Sequence, residues 1–144
     1  MSRLADIPVR IEPAVRTGGL GGGVTAILAE LAALLERLAE HGDAGAIDLR
    51  SLPMSAQDRA ALQAVLGEGE VQATLQADGA SSIRETQVAG VWWIEHRDRH
   101  GEIIAELLEV AAVPLILGRA ADEIAAAARR LRAGITVAAA TGQP

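Results

Sequence analysis

The chain of 144 residues contains no cysteine, lysine, asparagine, phenylalanine or tyrosine, and two tryptophans are its only aromatic side chains. Without cysteine there is no disulfide framework, no thiolate metal site and no cysteine nucleophile. Without lysine there is no Schiff base and no phosphate-loop lysine. All 13 basic residues are therefore arginine, against 19 acids, for a net charge of −6. That balance opposes the basic surface that nonspecific nucleic-acid binding needs, and two aromatics make a poor base-stacking platform. Long apolar runs are missing too. The uncharged stretches 17–29 and 110–118 are too short to cross a bilayer. Asp6, Pro8 and Glu12 come before any apolar stretch, which does not fit a signal peptide. A soluble, cytoplasmic, acidic domain is the expectation, with no membrane insertion and no nucleic-acid partner.

Half of the residues are hydrophobic and 22% are charged, a composition that supports a packed core. With so few aromatics, Leu, Ile, Val and Ala must fill it. Residues 1–23 carry Pro8, Pro13 and the run TGGLGGG, which reads as a flexible N-terminal arm ahead of one domain over 24–144. The arm does not match a dinucleotide fingerprint. Val24 stands where the third glycine after Gly19 and Gly21 should be, and the later strands lack crossover helices.

From Val24 the pattern is helical. Val24, Ile27, Leu28, Leu31, Leu34, Leu35 and Leu38 form one stripe, and Gly42 is a natural stop. After Pro53, Ser55 can cap a second helix with Asp58 three residues on, and Gly67 ends it. From Glu70 the period drops to two, predicting a strand over 70–77, and Asp78-Gly79 signals a hairpin. Strands are expected over 82–89 and 91–97. Residues 102–113 fit either a helix or a strand by spacing, and their place after a turn and their β-branched content favour a strand. A third helix is expected over 119–132, stopped by Gly134. The fold class is α+β, with about three helices on one face of a four-stranded antiparallel meander.

Signals of chemistry are sparse. His96 and His100 flank a turn rich in acids, but their spacing across a hairpin fixes no third metal ligand, so a solvated turn is the better reading. Glu85 and Thr86 offer an acid and a hydroxyl, yet neighbouring strand residues point to opposite faces. No catalytic residue and no cofactor is expected.

Three segments together carry a resemblance: LPMSAQDRAALQAVLGEGEV (52–71), ETQVAGVWW (85–93) and EVAAVP (109–114). In them Pro53, Asp58, Gly67, Glu68, Gly69, Glu70, Glu85, Thr86, Gly90, Trp92, Glu109 and Pro114 stand in the order and spacing of the hydrogenase expression/formation protein family of the HupH/HyaF type. The chain resembles that family over about 52–117. Members are often longer, with another domain ahead of this region, whereas a short helical segment precedes it here. The resemblance implies an accessory or assembly factor in maturation of [NiFe] hydrogenase, acting around the iron–sulfur small subunit. Its partners would be a hydrogenase subunit or other maturation factors. The alternative is a small enzyme or metal-delivery factor using Glu85 or the His96/His100 turn.

Pro53, Asp58, Gly67, Gly69, Gly90, Trp92 and Pro114 are expected to be structural, with Gly67 in a left-handed cap. Glu68, Glu70, Glu85 and Thr86 are candidate partner contacts. Trp92 and Trp93 must leave opposite faces of their strand. Trp93 shares its side with Glu95 and Arg97, which places it on the more open face, either as a binding anchor or covered by the N-terminal arm, and Trp92 in the core. The open edges of a meander suggest a weak homodimer.

Overall fold

A computed structural model describes residues 19–142; most of the expected N-terminal arm, residues 1–18, lies outside them. Helix α1 (Gly22–His41) ends as its sequence requires. Gly42 is left-handed at φ 74° and ψ 12°, and its N–H donates to the Leu38 carbonyl. Next come a short strand β1 (Gly45–Asp48), a 3₁₀ turn (Leu49–Ser51) and helix α2 (Ala56–Leu66). The α2 capping box forms: the Ser55 hydroxyl accepts from the Asp58 N–H, and the Asp58 carboxylate accepts from the Ser55 N–H. Strands β2 (Gln72–Ala77), β3 (Gly79–Glu85), β4 (Val91–Arg97) and β5 (Ile103–Val110) follow, then a 3₁₀ turn (Leu115–Leu117) and helix α3 (Ala121–Ala140).

Among the described residues the fold is α+β, with three α-helices and an antiparallel sheet in the order β1-β5-β4-β3-β2. The expected meander is present as β2 to β5, and the ambiguous segment is strand β5. The sheet has five strands rather than four because β1 adds itself to the free side of β5, with Ala46 opposite Glu109 and Ile47 opposite Leu108. Four residues, GAID, are too few to display an alternation. Gly134 does not stop α3, which continues six residues past it. A glycine inside a helix lowers its stability by about 1 kcal/mol without forbidding it, and the alanines around it carry the helix through.

Both faces of the sheet are covered, by different means. On one, α1 and α2 pack Val24, Ile27, Leu31, Leu62 and Leu66 against Ile47, Val91, Trp93, Leu108 and Val110. On the other, Ile83, Trp92 and Ile94 form a smaller cluster with Leu75, Leu107, Ile116 and Leu117. The 3₁₀ turn after Pro114 thus supplies the second cover. It is held there because Glu109, though a carboxylate, is buried and accepts the Leu115 N–H at 2.9 Å.

This double cover corrects the expectation for Trp93, while Trp92 is buried as expected. Trp93 is not on an open face: it is 3% exposed, less than Trp92 at 7%, and it sits in the larger cluster under the helices. Its charged companions Glu95 and Arg97 lie further along β4, where Arg97 turns back onto Glu95 and the Gly101 carbonyl. Trp92 occupies the smaller cluster and donates its indole N–H to the Ala111 carbonyl at 3.0 Å. No helix among the described residues is long and apolar enough to cross a membrane.

Candidate functional site

Two loops meet at one end of the sheet. The first joins α2 to β2 through Gly67, Glu68, Gly69 and Glu70; the second is the turn from β3 to β4. Backbone bonds stitch them together. The Gly69 N–H donates to the Glu85 carbonyl at 2.8 Å, and the Gln87 N–H to the Leu66 carbonyl at 2.9 Å. The Glu85 N–H donates to the Val71 carbonyl at 2.9 Å.

The two glycines make this approach possible. Gly67 has φ 64° and ψ −169°, a conformation essentially confined to glycine, rather than the expected left-handed cap. Gly69 lies so close to the turn that a Cβ there would stand 2.7 Å from the Thr86 carbonyl oxygen.

Side chains complete the joint. One Glu85 carboxylate oxygen accepts the N–H groups of Glu70 and Val71, each at 3.2 Å. Thr86 is 4% exposed. Its Oγ1 lies 2.9 Å from the Val91 carbonyl it donates to, and it accepts the Val88 N–H at 3.1 Å. Thr86 therefore braces the β3–β4 turn from within.

Around this joint opens a cleft of about 110 Å³ lined by Gln63, Gly67, Glu68, Arg84, Glu85, Thr86 and Trp93. Four of the five residues expected to touch a partner line it. The fifth, Glu70, contributes through its backbone N–H to Glu85. Opposite faces do not separate Glu85 from Thr86 here, because β3 ends at Glu85 and the strand alternation ends with it. Glu68 stands at the rim, its side chain 87% exposed and 4.0 Å from the Arg84 guanidinium, which is 30% exposed. Trp93 forms part of the wall, and its buried indole N–H has no hydrogen-bond partner. The cleft thus combines a rim carboxylate, a half-covered guanidinium and an aromatic wall. These are groups suited to gripping a polypeptide segment.

The histidines are not brought into a site. His96 Nδ1 lies 2.7 Å from the Ser81 hydroxyl across β3, while His100 sits exposed in the following turn, its N–H held by Asp98. Among the described residues, no group of three His, Asp or Glu side chains is placed to hold a metal ion.

Sequence reasoning missed one polar feature, the ion pair between Arg59 of α2 and Glu106 of β5. Glu106 is 1% exposed, and one of its oxygens has no partner. The available signal was a glutamate in register with the core positions Leu108 and Val110 of its strand. Nearby Arg50 donates to the Ile103 carbonyl, and these arginines border a broad groove with Arg97 and Glu102. Each arginine there already has a protein acceptor.

The family model for the C-terminal conserved region of the HupH hydrogenase expression protein matches residues 23–138. The hydrogenase expression/formation protein HoxQ of Azotobacter vinelandii is 40% identical over 94 residues, which are 62% of this chain and 33% of that protein. The hydrogenase-1 operon protein HyaF of Escherichia coli (strain K12) is 37% identical over 103 residues, 69% of this chain and 35% of that protein. The chain spans between a third and a half of the length of the curated relatives it matches. Among solved structures, the hydrogenase expression protein HupH from Thiobacillus denitrificans ATCC 25259 superposes with a TM-score of 0.75 at 40% identity. The match covers 81% of this chain and 97% of that one.

Proposed function

The chain belongs to the HupH hydrogenase expression protein family, matching its C-terminal conserved region, and we propose that it is a cytoplasmic, non-catalytic accessory factor in [NiFe] hydrogenase maturation that holds an immature subunit, the small subunit. Relatives named for hydrogenase expression and formation support the process. The observation that carries the binding reading is the cleft. It is built from 63–71 and 84–93, largely the segments through which the chain resembles the family, and the bonds behind it are used up in shaping it. Thr86 spends its hydroxyl and Glu85 one carboxylate oxygen on backbone groups, which suits a preformed docking surface better than a reacting centre. Glu68 and Arg84 remain at the mouth to meet a partner.

Co-purification tests this reading. The tagged chain, recovered from cells producing the hydrogenase, should carry the small-subunit precursor. Glu68→Arg reverses the charge at an exposed rim position and should reduce that recovery several-fold without changing the urea midpoint. Recovery of the large subunit alone, or equal recovery with the Glu68→Arg chain, would refute it.

A further inference from the structure

Helix α3 is 20 residues long and buries none of them. Val137 is exposed on the outer side of α3, and Ile124, Leu131 and Ile135 are 59%, 70% and 62% exposed along one stripe, although each of these three would stabilise a core. Their spacing is regular. Ala121, Ile124, Ala128, Leu131, Ile135 and Ala138 follow one another at intervals of 3, 4, 3, 4 and 3, the alternation of a two-stranded coiled-coil seam. We infer that this seam is an interface for a second copy of the same chain, with the two α3 helices packed antiparallel.

The seam is complementary to itself in that direction. Antiparallel pairing about the Arg129–Arg130 midpoint sets Ala121 against Ala138 of the second copy, Ile124 against its Ile135, and Ala128 against its Leu131. Small faces large at the centre, so the helices can close without a void or a clash. The positions beside the seam are Ala120, Ala125, Ala127, Arg132, Gly134, Ala139 and Thr141. A partner of different sequence is normally selected by charges at these flanks, and here one residue is charged.

Direction follows from the charges further out. Acids occur only in the first turn of α3, Asp122 and Glu123, and arginines only after them. Parallel pairing would set acid beside acid and arginine beside arginine at every charged level. The antiparallel arrangement leaves such a confrontation at Arg129 and Arg130 alone, both on outer positions, and opposes the helix dipoles favourably. A helix of this length, ~30 Å, offers roughly 450 Å² per copy, about half of what a standard stable interface buries. The dimer is accordingly weak, with a dissociation constant on the order of 10–100 μM.

Because the chain has no cysteine, introduced ones report uniquely. Sedimentation equilibrium of the full chain should show a concentration-dependent dimer. Leu131→Arg and Ile135→Arg should each weaken it at least tenfold, with unchanged urea midpoints. A mixture of Ala121→Cys and Ala138→Cys chains should cross-link through a short bis-maleimide. Either chain alone should not, because like positions then stand about 25 Å apart. Three results would overturn the inference: a strict monomer at several hundred micromolar, a dimer that survives both arginine substitutions, or cross-linking of each cysteine chain with itself.

Discussion

Helices α1 and α3 have the same length, 20 residues, and both carry apolar residues at helical spacing. Helix α1 buries Val24, Ile27 and Leu31, and half-buries Leu28, Leu34, Leu35 and Leu38 against the sheet. Helix α3 leaves Ile124, Leu131 and Ile135 in solvent. The two differ in what the chain offers them. The face of the sheet under α1 and α2 is completed by strands whose inward residues match the α1 stripe, while the opposite face is closed by Ile116 and Leu117 before α3 begins. Periodicity therefore establishes that a helix is amphipathic and says nothing about whether its partner lies within the same chain.

The largest expected effect tests the covered half. Trp93 lies inside the main cluster at 3% exposure, so Trp93→Ala should destabilise the fold by ~3–5 kcal/mol in urea unfolding. Its indole N–H has no acceptor, so this cost is packing rather than a lost hydrogen bond. A midpoint near that of the unsubstituted chain would restore the open-face assignment and remove the contrast with α3.

The next prediction sets equivalent leucines against each other. Leu31→Ala in α1 removes a side chain 3% exposed and should cost ~2–5 kcal/mol. Leu131→Ala in α3, at 70% exposure, should stay within about 0.5 kcal/mol at low protein concentration. Comparable losses from both would show that α3 has a partner within its own chain.

Much of the covered half is legible from local pattern. The α1 stripe, the Gly42 stop, the Ser55–Asp58 capping box and the meander from β2 to β5 each follow from residues a few positions apart. The cleft is legible only in part. Glu68, Glu85 and Thr86 stand out by the resemblance, and Trp93 by residue type. Their convergence depends on the α2–β2 loop docking onto the β3–β4 turn, contacts across 14 or more positions that no periodicity encodes. The same limit explains why Trp93 is covered as well as Trp92: alternation separates their faces, while the covers come from elements remote in sequence. Strand β1 escapes for another reason, since four residues hold too little pattern.

Gly67 joins these two levels. Its positive φ is a local requirement, and the docked Gln87 side chain, within 2.6 Å of where a Cβ would stand, is a tertiary one. Gly67→Ala should cost ~1–3 kcal/mol, because its φ and ψ lie in a region that residues with a Cβ rarely enter. Urea unfolding measures it, and an unchanged midpoint would mean that the loop can re-route without its glycine.

The smallest expected effect sharpens the contrast most. Gly134 lies inside α3 with open space around its Cα, so Gly134→Ala meets no obstacle. Alanine in place of glycine favours a helix interior by about 1 kcal/mol. In α1 such a gain would add to global stability, because α1 unfolds with the core it covers. Helix α3 buries nothing, so it can unravel while the sheet and the other two helices remain folded. Gly134→Ala should therefore slow amide hydrogen exchange in the middle of α3 by roughly fivefold in dilute monomer, with the global urea midpoint unmoved. A midpoint that rises with the exchange protection would show that α3 and the core unfold together, and the equal-length helices would then differ in exposure but not in coupling.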